Sequence, residues 1–113
     1  METQSTNVVE MVSFKLYDYI KEEELINANE SMGAFLAAQP GFLYRSLTMN
    51  PQTQEWTDIV YWEDMAKAEA AGKAFMESEH TKAMVRLIDN QTIKVQHLPV
   101  KWMYYPEMQR DAS

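Results

Sequence analysis

A chain of 113 residues with 46% apolar and 24% charged side chains has the length of one domain and enough apolar surface to offset the entropy of ordering it. Ten basic against seventeen acidic residues leave a formal charge of -7, which repels phosphate backbones and anionic lipid and argues against nucleic acid as a partner. Cysteine is absent, which removes disulfides, thiolate zinc sites and cysteine nucleophiles together, so any metal would need histidine and carboxylate.

In chain order, residues 1–7 are polar and carry Glu2, without the basic start and apolar stretch of a secretory signal. They read as a flexible N-terminus. The longest uncharged, weakly polar run, Met32 to Ala38, is far below the roughly 18 residues that cross a bilayer, so a cytoplasmic protein without membrane contact is expected. Val8 to Leu16 (VVEMVSFKL) is rich in β-branched and aromatic residues at both parities, the pattern of a strand covered on two faces. Lys21 to Gln39 opens with Glu22, Glu23 and Glu24, favourable at a helix N-terminus. It then spaces Leu25, Ala28, Met32, Phe35 and Leu36 at helical intervals until Pro40 and Gly41 stop it.

Phe42 to Met49 and Trp56 to Trp62, joined by the turn-forming Asn50 to Glu55, read as an antiparallel hairpin. Asp64 is placed to cap a helix over Met65 to Phe75, with Met65, Ala68, Gly72 and Phe75 as its small-residue stripe. Ser78 is placed to cap a further helical piece whose apolar side is Met84, Leu87 and Ile88. Asp89 to Gln91 reads as a turn before an edge strand, Thr92 to Val100, that tolerates Pro99 near its end. The tail, residues 101–113, carries Trp102, Met103, Tyr104 and Tyr105 and is too aromatic to be left free.

Strand, helix, strand, strand, helix, strand is the α+β, ferredoxin-like βαββαβ order, with the first and third strands central in an antiparallel sheet and helices on one face. A single domain over residues 8–100 results. The apolar residues on the other face then need a second layer that this chain has no spare element to supply. A second copy packed sheet against sheet would supply it, with the aromatic tail docked at the seam of a homodimer.

The VVEMVSFKL opening, QPGFLYRSL at 39–47 and WTDIVYWED at 56–64 ahead of an alanine-rich helix resemble the antibiotic biosynthesis monooxygenase-like family of the dimeric α+β barrel superfamily, over residues 8–98. The resemblance implies a dimeric barrel and, among other activities, cofactor-independent oxygenase, isomerase or cyclase chemistry on a small aromatic or carbonyl-containing molecule. It also implies a pocket between sheet and helices, lined at the strand end by a tryptophan that Trp62 matches. Haem-degrading relatives place an asparagine on the first strand and a histidine on the following helix, and neither stands in residues 8–16 or 70–73 here. Where other relatives open with a histidine, this chain has Glu10, a base of lower ordinary pKa.

From the residues themselves, Asp58 on the third strand, Glu10 on the first and His97 on the fourth fall on strands that the topology makes neighbours, with Arg45 on the second. Carboxylates in central strands are costly to bury unless paired. Two readings stand side by side. In one, Glu10, Asp58, His97 and Arg45 form a catalytic cluster, Glu10 or His97 being the general base and Arg45 holding an anionic oxygen. In the other, the same residues are a structural network in a non-catalytic binding or assembly protein. Trp62, Tyr44, Tyr61 and Phe14 are the candidate substrate-binding residues, with core or seam packing as the alternative for each. His80 reads as a solvated helix-start residue. The two histidines match no metal-ligand spacing and the three glycines form no phosphate loop, so neither metal nor cofactor is expected.

Overall fold

The computed structural model describes residues 6–104, and the order is β1 (Val8–Leu16), α1 (Glu22–Ala37), β2 (Phe42–Met49), β3 (Trp56–Trp62), α2 (Met65–Glu77), α3 (Lys82–Val85) and β4 (Ile88–Pro99). The strands form one antiparallel sheet in the order β2-β3-β1-β4, so β1 and β3 are central as the connectivity requires. The chain is an α+β, ferredoxin-like fold.

Local chemistry sets most boundaries. The Glu24 carboxylate accepts the Lys21 amide at 2.9 Å and closes the first turn of α1. Leu25, Met32 and Leu36 of α1 are buried with Phe35 packed beside them, the apolar stripe expected from the spacing. Past the helix, Gly41 turns the chain at φ 85°, and a Cβ there would meet Lys67 Cβ at 2.6 Å, so glycine is required by conformation and by space. Asp64 caps α2 by accepting the Lys67 amide at 2.8 Å.

Three local expectations need correction. The buried stripe of α2 runs through Ala68 and Ala71, while Gly72 faces open space. Ser78 caps no helix: its hydroxyl accepts the His80 amide at 3.0 Å within a turn. Thr81, 1% exposed, precedes α3 and donates its hydroxyl to the Phe75 and Ser78 carbonyls. Finally, Ile88 belongs to β4, and Asp89 to Gln91 is an irregularity inside that strand. Between Ser13↔Lys94 and Lys15↔Asp89, β1 advances two residues and β4 five. Thr92 Oγ1 accepts the Lys15 amide at 2.8 Å across the irregularity, which replaces a missing ladder bond with a side chain.

Pairing separates the two faces of the sheet. Val8, Glu10, Val12 and Phe14 align with Trp62, Val60, Asp58 and Trp56 on the face under the helices, where Phe14, Val60 and Trp62 form the core with α1 and α2. Val9, Met11, Tyr61, Ile59 and Leu98 occupy the opposite face, half-buried or exposed, with no layer over them among the described residues. Thr6 and Asn7 side chains donate to the Glu63 carbonyl, and the Asn7 carbonyl accepts the Val100 amide, which extends the sheet edge. Trp102 and Tyr104 stack with ring centroids 6.0 Å apart and stand exposed, whereas Tyr105 and the rest of the tail lie outside the described residues.

Candidate functional site

The four candidate polar residues all face the helices, as the register Glu10↔His97, Glu10↔Val60, Arg45↔Val60 and Val12↔Asp58 requires. They do not form one cluster. Val60, 3% exposed, sits between Glu10 and Arg45, and the residues sort into two pairs.

The inner pair is closed. Arg45 Nε and Nη2 donate to the two oxygens of Asp58 at 2.8 and 2.7 Å, a fork-to-fork contact with side chains 9% and 11% exposed. Both carboxylate oxygens are occupied, so Asp58 has little capacity left for proton transfer. One guanidinium nitrogen, Nη1, is not used by Asp58 and points at α1, 3.8 Å from the Cβ position of Gly33. One turn earlier on α1, Asn29 Oδ1 is buried without a hydrogen-bond partner among the described residues. A donor and an acceptor thus remain under α1. Sequence reasoning missed Asn29 and Gly33, although a polar residue and a glycine among Leu25, Ala28, Met32 and Leu36 are the visible interruption of that helix's apolar stripe.

The outer pair is open. Trp62 Nε1 donates to Glu10 Oε1 at 3.2 Å, and Glu10 Oε2 contacts His97 Nε2 at 3.1 Å, with side chains 20% exposed for Glu10 and 33% for His97. A carboxylate only accepts, so the proton in this contact sits on His97 Nε2, and Nδ1 has no hydrogen-bond partner among the described residues. Tryptophan fixes carboxylate, carboxylate fixes imidazole, and the free ring nitrogen lies at a sheet edge reached by solvent. This is the orienting logic of a base held by a third group. Beside it, Val95 is 53% exposed on the same face, because the helices lie over β1, β2 and β3 and leave the end of β4 bare.

The aromatic candidates divide differently from expectation. Trp62 and Phe14 are 0% and 1% exposed, which makes them core residues with no surface for a ligand in this chain; the Trp62 indole also packs edge-on to Phe42. Tyr44 and Tyr61 pair on the opposite face, ring centroids 6.1 Å apart, and so cannot share a pocket with Trp62. The cause is Leu43. Phe42 aligns with Trp62 and Tyr44 with Tyr61, so β2 spends one extra residue there, and every side chain after it changes face relative to an uninterrupted strand. His80 is exposed, and no group of three or more potential ligands is placed to hold a metal among the described residues.

No protein-family model matches the sequence, and no functionally curated protein matches it. Solved structures do. SnoaB, a cofactor-independent oxygenase from Streptomyces nogalater, is 18% identical and superposes at a TM-score of 0.69, covering 90% of this chain and 100% of its own. A candidate antibiotic biosynthesis monooxygenase from Bordetella bronchiseptica is 14% identical with a TM-score of 0.73, covering 85% of this chain and 98% of its own. A conserved protein from Methanosarcina mazei Go1 is 13% identical with a TM-score of 0.67, covering 85% and 94%. The fold is therefore the one that antibiotic biosynthesis monooxygenase-like proteins adopt. At these identities the likeness fixes architecture, and chemistry has to come from the side chains.

Proposed function

We propose that the chain works as a homodimer that binds a small aromatic or carbonyl-containing molecule at the bare end of β4 and removes a proton from it, as a cofactor-independent oxygenase does. The observation that carries this reading is the chain Trp62, Glu10, His97 with Nδ1 left open at the surface. In the reaction, a C–H or O–H proton of the substrate passes to His97 Nδ1, and Glu10 offsets the charge that the imidazole gains. The substrate anion gives its electrons to dioxygen. For an activated methylene, one oxygen atom ends as the carbonyl and the other leaves as water with the two hydrogens, so no further reductant is needed.

Dimerisation has separate support. The bare face of the sheet places Val9, Met11, Ile59, Tyr61 and Leu98 together, and a second copy is the natural cover for an apolar sheet face. The stacked, exposed Trp102 and Tyr104 follow β4 in the chain and support the reading that the tail covers that seam.

The test is a His97→Gln and Glu10→Gln pair of variants, assayed by oxygen uptake and product mass against a panel of anthrone-like and 1,3-dicarbonyl compounds. Folded dimers that lose turnover by about 100-fold or more support the reading. Wild-type protein that binds none of the panel and consumes no oxygen, or variants that retain full turnover, would overturn it.

A further inference from the structure

A second feature lies at the opposite end of the sheet from His97. Between the loop after β1, the start of α1 and the β2–β3 turn runs a groove of about 350 Å³, a size that suits a small molecule. Leu16, Met49 and the nearly buried Trp56 line it together with Thr53 and Gln54, so its wall is mixed polar and apolar. Tyr17 lines one side and stacks on Tyr19 with rings 5.7 Å apart and 2° from parallel, although Tyr19 is 76% exposed. An aromatic pair held flat in water at the side of the groove offers a face to a planar ring.

Three charged side chains reach the same groove, Lys15, Asp18 and Glu22, and none of them has an ion-pair partner among the described residues. Two carboxylates against one ammonium make its rim net acidic. A ligand with a cationic head and an aromatic body satisfies both parts at once, because the amine meets Asp18 and Glu22 while the ring lies on Tyr17. We infer that this groove is a second ligand site, separate from the His97 edge, that takes a small aromatic amine. From Glu10 to Lys15 the strand advances five residues, about 17 Å, so the two sites do not overlap.

Three probes that share a phenyl ring and differ in head group test it: phenethylamine, phenylalanine and 3-phenylpropionate, titrated into isotopically labelled full-length protein and followed by amide chemical shifts. Shifts confined to residues 15–22 and 49–56, with affinity falling from amine to zwitterion to acid, are expected. The Asp18→Asn/Glu22→Gln double variant should weaken phenethylamine about tenfold and leave phenylpropionate unchanged, whereas His97→Gln should leave both as they are. Three outcomes overturn the assignment. One is the absence of saturable shifts below about 10 mM, and another is equal affinity for the three head groups. The third is a groove whose signals respond only to protein concentration, which would mean that a second copy fills it.

Discussion

Asp58 and Glu10 are carboxylates on adjacent central strands, facing the same helices, and they are treated in opposite ways. Asp58 gives both oxygens to one guanidinium and is nearly sealed from water. Glu10 divides its oxygens between an indole deep in the core and an imidazole at the rim. One strand of lateral displacement, from β3 to β1, changes the partner from a permanent cation to a group that can gain and lose a proton. Position relative to the sheet edge, and not residue type, decides which carboxylate holds the fold and which can take part in chemistry.

Breaking the closed pair should have the largest effect. Asp58→Ala leaves Arg45 charged and buried without its partner, a situation that costs about 3–5 kcal/mol, and urea denaturation should show that loss. The sharper version replaces both, Arg45→Met with Asp58→Leu, which should recover most of the stability because no charge is left buried. Recovery would show that the pair holds the fold through compensation alone. Failure to recover in a protein that still folds would point to a further role for the guanidinium, such as its free Nη1 contact under α1.

Trp62→Phe comes next and probes the joint between core and open pair. Phenylalanine keeps much of the buried ring area but removes the donor to Glu10, so a loss of about 1–3 kcal/mol is expected from the smaller ring and the unanswered oxygen. If Glu10 is held by this bond, the His97 ring signals should broaden or shift in the same variant, although residue 62 does not touch His97. Unchanged His97 signals would separate the tryptophan from the imidazole and leave Trp62 a core residue only.

His97→Gln should be smaller still in stability, within about 1 kcal/mol, since the pair is partly exposed and screened. Its effect belongs to turnover. Oxygen uptake by the variant should fall by about 100-fold while its urea denaturation stays close to that of the wild type.

How much of this was legible in the sequence follows from what each feature depends on. The four-stranded order, the Asp64 cap and the break at Pro40 and Gly41 rest on local chemistry, and each stands where the residues put it. The central placement of β1 and β3 followed from connectivity. Parity within β3 placed Asp58, Val60 and Trp62 together, as found. What could not be read depends on register between strands. The extra residue at Leu43 moves Tyr44 to the far face, and nothing in FLYRSLTM marks it. The irregularity of β4 hides in Asp89 to Gln91, whose turn chemistry is real but is used inside a strand. The split of the polar residues into two pairs is a consequence of Val60 standing between β1 and β2, a fact of alignment that composition does not carry.

The smallest expected effect is at Glu79, and it is a control on the others. Its carboxyl is held below the usual carboxylate range by the hydrogen bond from Lys82 and then by that ammonium's charge, three residues along in a pair open to solvent. A carboxyl whose folded pKa is lowered adds stability above its unfolded pKa and loses it as pH falls through the folded value. The sign is therefore the same as for any paired carboxylate, but water and salt screen an exposed pair, so Glu79→Gln should move the unfolding midpoint by no more than an ordinary surface substitution at neutral pH and less again in high salt. If Glu79→Gln instead destabilised the protein as much as Asp58→Ala, ion pairing as such would be governing stability. The contrast between closed and open carboxylates, which rests on burial, would then fail.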